Sequence, residues 1–248
     1  MVSLGLIIFA SLAAFIAGFI DAIAGGGGLI VLPCLLLTGL SPYQALSCNK
    51  FSACLGTAQA LRSFTATGLV RWDIALKGIA FSLIGAAAGS LLALHIEQTL
   101  LGKILVALLP FALILTLLPH PHPKNDAVVS FWKIAPICLA IGLYDGFFGP
   151  GTGSFLILAF HWLMGLELLN ASATAKTFNL ASNLASTLTF ISQGTMLWPL
   201  ALPMAFGSIL GNTFGSRLAI KKGNESVRRF LTFSLFLLII SLLIKYFF

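Results

Sequence analysis

Charge is what this chain lacks. Only 8% of its 248 residues are Asp, Glu, Lys or Arg, against 58% hydrophobic residues and a mean hydropathy of +1.03. A soluble domain of this length needs far more polar surface, so a water-soluble fold is excluded. Histidine and cysteine are also scarce, at four each. Cys34, Cys48, Cys54 and Cys138 lie within apolar runs and show no metal-ligand spacing, so they read as small packing residues. His95, His120, His122 and His161 fall in loops or near segment ends without paired carboxylates. No metal or cofactor is implied. The chain holds no Gly-x-x-x-x-Gly-Lys-[Ser/Thr] loop, which excludes a primary pump within it. It holds neither a His-Glu-x-x-His motif nor a Ser/His/Asp constellation, so an intramembrane enzyme is not expected. The net charge of +7 does not point to nucleic acid, because no basic run with interleaved aromatics accompanies it.

What is present is apolar sequence of bilayer-spanning length, repeated from end to end. The stretches run 3–24, 28–39, 44–65, 73–95 and 99–118, then 131–148, 153–167, 170–193, 197–219 and 229–248. The start, Met1-Val2-Ser3-Leu4, lacks the basic region of a cleavable signal, so the first run is expected to be a retained helix. The fold class expected is an all-α polytopic membrane protein, multi-pass in a cell inner or plasma membrane, with membrane lipid around it.

The chain also repeats itself. Gly18-Phe19-Ile20-Asp21 followed by Gly25–Gly28 returns as Gly142-Leu143-Tyr144-Asp145 followed by Gly149-Pro150-Gly151-Thr152-Gly153. Lys50 then matches Lys176, Trp72 matches Trp198, and Gly85, Gly89 and Ser90 match Gly211, Gly215 and Ser216. Residues 1–122 and 123–248 therefore form two transmembrane repeats of about five segments each, together one transmembrane domain. Two segments, 28–39 and 153–167, are too short to span comfortably, and both follow a glycine cluster. Helix propensity collapses at Gly25–Gly28 and Gly149–Gly153, which predicts broken or re-entrant helices. Ordinary turns between helices are the other reading of these glycines.

Cation placement orients the halves. Arg62, Arg71 and Lys77 surround Gly68, whereas the equivalent loop 192–196 carries no charge. The loop at His95–Gln98 is poor in cations, whereas its equivalent holds Lys221, Lys222, Arg228 and Arg229. Equivalent loops thus lie on opposite sides under the positive-inside rule, with Lys124 and Lys133 cytoplasmic and only Lys103 and Lys245 near the outer surface. The repeats are expected to be inverted, an arrangement that supports alternating access.

Few polar residues interrupt the apolar runs. Lys50 and Lys176 occupy matching positions, and a lysine near a bilayer centre costs roughly 2.5–3.5 kcal/mol on insertion scales. Each needs a counter-charge, a polar cavity or an anionic ligand. Asn179 and Asn183 share a helical face with Lys176, and Thr57 shares one with Lys50, with Asn49, Ser52 and Gln59 on a neighbouring face. Ammonium groups, amides and the N–H donors of the broken helices at Gly26, Gly27, Gly151 and Thr152 suit a small oxyanion. The alternative is that Lys50 and Lys176 are structural partners of Asp21 and Asp145. The aspartates themselves are read as structural or helix-capping residues, with a proton-coupling role as the other option.

These motifs carry a resemblance. Gly18–Leu29 with Asn49-Lys50 resembles the first repeat of the TauE/SafE family of sulfite exporters. Tyr144–Phe155, Ala173–Lys176, Asn179 and Ser182-Asn183 are similar to that family's second repeat. The likeness covers roughly residues 15–220 and implies a permease for sulfur-containing anions such as sulfite, thiosulfate or organosulfonates. A secondary carrier exporting such an anion is the function expected. An uptake permease for another small organic anion, and a membrane scaffold or assembly factor, are the alternatives. The expected partner is the small anionic substrate, with a homodimer left open.

Overall fold

The structure, a computed structural model, describes residues 2–117, 131–227 and 229–230. Its principal helices are α1 (Leu4–Ala24), α2 (Gly28–Leu37), α3 (Pro42–Ala66), α4 (Trp72–His95), α5 (Gln98–Leu117), α6 (Phe131–Phe147), α7 (Thr152–Met164), α8 (Leu168–Ser192) and α9 (Trp198–Lys222). No strand occurs among the described residues. The last expected segment lies outside them beyond Phe230, as do His120, His122, Lys124, Arg228, Lys245 and the side chain of Lys133.

Local chemistry sets several boundaries. Ser3 Oγ accepts the Leu6 N–H at 3.2 Å and starts α1. Ser41 Oγ accepts the Gln44 N–H at 3.3 Å and, with Pro42 in the first turn, starts α3. α1 stops at Gly25, whose φ of +77° is left-handed backbone that glycine adopts without strain. The chain then turns back, because Gly27 lies against Ala17 and Asp21 of the helix it has just left. The short segment α2 is therefore the returning arm of a hairpin.

Polarity is arranged inside out. Ile8, Leu12 and Ile16 of α1, Leu76 and Ile84 of α4, and Leu202 and Phe206 of α9 are all exposed. Ser47, Asn49, Lys50 and Thr57 of α3, and Thr174, Lys176, Asn179 and Asn183 of α8, are buried. Large apolar side chains outside and polar ones inside suit a lipid surround. α1 and α4 are long and apolar enough to cross a membrane by length and composition. α3, α8 and α9 are as long, at 25 residues each, but less apolar because they carry the buried polar groups. Trp72 and Trp198 stand at the starts of α4 and α9 and are 43% exposed, a placement favoured at membrane–water interfaces.

The matched glycines of α4 and α9 make equivalent contacts, each with a helix from the other half of the chain. Gly211 and Gly215 of α9 lie against the carbonyls of Phe15 and Phe19 on α1. Gly85 and Gly89 of α4 lie against the carbonyls of Leu139 and Leu143 on α6 in the same way. Small residues four apart let such helix pairs approach closely. α3 and α8 run antiparallel. Near the start of α3, Ser47 Oγ donates to the Thr195 carbonyl beyond the end of α8 at 3.0 Å. Near the start of α8, Asn170 Nδ2 donates to the Leu69 carbonyl beyond the end of α3 at 3.0 Å. The loop at 67–71 and the turn at Gly223-Asn224 share one end of the bundle, joined through α8 by Arg71 N–H to Thr174 Oγ1 (3.1 Å) and Leu169 N–H to Asn224 Oδ1 (2.8 Å). The 94–97 region lies at the other end, where Tyr43 donates its hydroxyl to the carbonyls of Leu94 and Ile96.

Candidate functional site

The two glycine breaks meet in the interior. Ser154, in the first turn of α7, donates its N–H to the Gly25 carbonyl at 3.2 Å and its hydroxyl to the Ala24 carbonyl at 2.8 Å. A Cβ at Gly153 would collide with Gly25, so the hairpin tips can touch only because both residues lack one. Ser172 of α8 donates to the Ile23 carbonyl at 2.9 Å. The last carbonyls of α1, which have no partner within their own helix, are thus satisfied by the second half.

Each buried lysine serves the opposite half. Lys176 Nζ lies 2.8 Å from Asp21 Oδ2 and also donates to the Asp21 backbone carbonyl. Its ammonium stands at the C-terminal end of α1, where a cation meets a favourable dipole as well as a carboxylate. Lys50 Nζ lies 2.9 Å from Asp145 Oδ1 near the end of α6, and Ser182 donates its hydroxyl to Asp145 Oδ2. The side chains of Lys50 and Asp145 are 1% and 5% exposed, so neither charge is solvated in bulk water. Lys176 is wholly buried, while its partner Asp21 retains 19% exposure. The pairing joins α3 to α6 and α8 to α1, tying the N-terminal part of the chain to the C-terminal part.

A small cavity of about 40 Å³ lies beside these pairs, lined by residues of both halves. Of the ten binding residues expected from sequence, Asn49, Lys50, Asn179, Asn183, Gly27 and Thr152 line it. Lys176, Thr57, Gly26 and Gly151 do not. Lys176 stands behind Asp21, which itself faces the cavity along with Asp145. Thr57 is buried, 1% exposed, without reaching the lining. Among the lining residues that sequence reasoning missed are Asn212 and Ser208 of α9. The available signal was an amide in the middle of the apolar stretch Ile209–Phe214. Asn212 Nδ2 donates to the Ser208 carbonyl at 2.9 Å, leaving its side-chain oxygen buried without a partner. The side-chain oxygen of Asn179 is likewise buried and unpartnered. Buried amides without partners are costly in a folded protein, and a cavity that receives a polar ligand explains retaining them.

The arrangement offers one ammonium, paired with Asp145, together with several amides and glycine backbone at two helix starts. Such a set can strip water from a small polar solute and replace its hydration.

The family described as Sulfite exporter TauE/SafE matches residues 10–242. The chain is 39% identical over 230 residues to "Probable membrane transporter protein ORF9" of Sinorhizobium sp, covering 90% of this chain and 87% of that one. It is 39% identical over 220 residues to "Probable membrane transporter protein YfcA" of Escherichia coli strain K12, covering 87% and 81%. A more distant relative, "Probable membrane transporter protein YdhB" of Bacillus subtilis strain 168, is 23% identical over 208 residues, covering 82% and 84%. No solved structure matches the chain.

Proposed function

The chain belongs to the sulfite exporter TauE/SafE family of membrane transporters, and from that premise we propose that it is a secondary carrier exporting small sulfur-containing anions by alternating access. The observation that carries this reading is the cavity beside Lys50, where a buried ammonium, amides and two broken-helix starts converge from both halves. Sulfite, thiosulfate and organosulfonates present the compact oxygen array that such donors recognise.

The proposed cycle rests on inverted repeats, 1–122 and 123–248, in a multi-pass membrane domain. Support comes from equivalent helices α3 and α8 running antiparallel, and from equivalent loops 67–71 and 193–197 lying at opposite bundle ends. Cations gather at the end that holds Arg71, Lys221 and Lys222, which supports reading that end as cytoplasmic. The cavity includes Lys50 but not its equivalent Lys176. In a symmetric cycle the two exchange roles: the opposite conformation would bring Lys176 to a cavity and close the one beside Lys50. Outward movement of an uncompensated anion is favoured by an inside-negative potential, about 2.3 kcal/mol per charge per 100 mV.

Reconstitution tests the reading. Liposomes containing the purified protein and loaded with labelled sulfite should release it faster than protein-free liposomes, with thiosulfate competing. Release no faster than from protein-free liposomes, for sulfite, thiosulfate and sulfoacetate alike, would contradict a carrier for these anions.

A further inference from the structure

Building on the anion-carrier reading, we infer that the cavity loads its anion together with one proton, and that Asp145 is the residue that takes the proton up. The charges around the cavity lead there. Lys50 is the only ammonium among the lining residues, and it is already neutralised by Asp145 at 2.9 Å. The other lining charge is Asp21, whose partner Lys176 stands behind it. The site is therefore electrically balanced before any substrate arrives, counting Lys176 with it. An added anion leaves a net negative charge in a buried place, where uncompensated charge is strongly disfavoured.

The acceptors sharpen the point. The carboxylates of Asp21 and Asp145 and the unpartnered side-chain oxygens of Asn179 and Asn212 all belong to cavity-lining residues. All of these accept hydrogen bonds, as an unprotonated oxyanion also does. Lys50 has three N–H donors and can bond an anion beside Asp145, but its single charge then faces two negative groups. A proton on Asp145 removes one of them: the carboxylate becomes a carboxylic acid, and the Lys50 charge is left to the anion. Charge balances, since one negative charge and one proton enter together. Ser182 remains as a neighbour that can bond either form of Asp145.

Asp21 is the less suitable acceptor. It keeps Lys176, which does not line this cavity, and its other oxygen receives the Gly27 N–H at 3.4 Å. The groups around Asp145 are few. α3 supplies Lys50, α8 supplies Ser182, and α4 supplies Ser90, whose hydroxyl bonds the Gly146 carbonyl at 3.1 Å. Tyr144 on the same helix donates to the Pro150 carbonyl at 2.7 Å. Across the cavity, α1 supplies Asp21. Loading one proton cancels the charge carried by a monoanion, so its direction follows concentration and pH gradients. A dianion still carries one negative charge and remains subject to the membrane potential.

Calorimetric titration of the purified protein in two buffers of different ionisation enthalpy counts the protons. Thiosulfate and isethionate serve as probes because neither titrates near neutrality, and sulfite is measured beside them with its own titration subtracted. The expected result is about one proton taken up per anion bound between pH 6 and 8. Asp145→Asn should bind without proton uptake and with pH-independent affinity, whereas Asp21→Asn should keep the uptake. Binding by wild type without proton uptake overturns the inference and leaves the carrier reading standing. Uptake that disappears in Asp21→Asn but persists in Asp145→Asn overturns the assignment to Asp145. Absence of binding by all three anions overturns the carrier reading and this inference together. If Asp145→Asn does not fold, the wild-type proton count still decides between uptake and none.

Discussion

Lys50 of α3 and Asp145 of α6 form an ion pair at 2.9 Å that is almost wholly shielded from solvent. Breaking such a pair from one side strands a buried charge, at a cost of about 3–5 kcal/mol, while replacing both partners is far less harmful. Lys50→Met alone should therefore lower thermal stability sharply, and Lys50→Met/Asp145→Asn should recover most of the loss. Unfolding followed by intrinsic fluorescence in detergent checks this. A double variant no more stable than the single one would mean the pair does not hold the halves together.

The bundle ends predict the topology. Tags after Gly68 and at Gly223-Asn224 should both report cytoplasm, because hydrogen bonds through α8 join those turns at one end. A tag near Gln98 should report the opposite side. Finding the Gly68 and Gln98 sites on one side would end the inverted-repeat account.

The hairpin tips make a sharper packing prediction. Gly153→Val places a branched side chain against Gly25 backbone and beside Asn179, with no flexible group able to give way. It should reduce the yield of folded protein. Gly5→Val, where nothing lies within 4 Å, should not. Size-exclusion profiles of the two variants provide the comparison.

Much of this was legible in the sequence, and the gaps have identifiable causes. Nine of the ten apolar runs correspond to α1–α9 among the described residues, and the tenth lies almost wholly outside them. The run expected over 153–167 ends at Met164, since Gly165 takes φ of +67° and caps it. The run expected from 44 starts at Pro42, because Ser41 caps it. The matching of Lys50 with Lys176 was readable, but a repeat says which residues correspond and not which ones touch. Pairing across the halves needed the fold. Asn212 escaped notice because its repeat equivalent is Ala86, so the duplication that highlighted the lysines was silent about it.

Asn212 offers a prediction free of charge effects. Asn212→Ala removes an amide whose oxygen has no protein partner, so stability should change little. An anion can be bonded only by the Asn212 Nδ2, turned from the Ser208 carbonyl, and losing that donor should lower anion affinity about ten-fold, in line with roughly 1–1.5 kcal/mol for one neutral hydrogen bond. Unchanged affinity would remove Asn212 from the site.

The central claim is that the cavity beside Lys50 binds a small sulfur-containing anion through that ammonium. Anion-dependent thermal stabilisation of wild type and of Lys50→Met/Asp145→Asn, measured across sulfite, thiosulfate, sulfate, sulfoacetate and matched carboxylates, tests it most directly. Wild type should be stabilised by sulfite, thiosulfate or sulfoacetate more than by the carboxylates, and the double variant should lose that stabilisation while still folding. Undiminished stabilisation in the double variant would contradict the account.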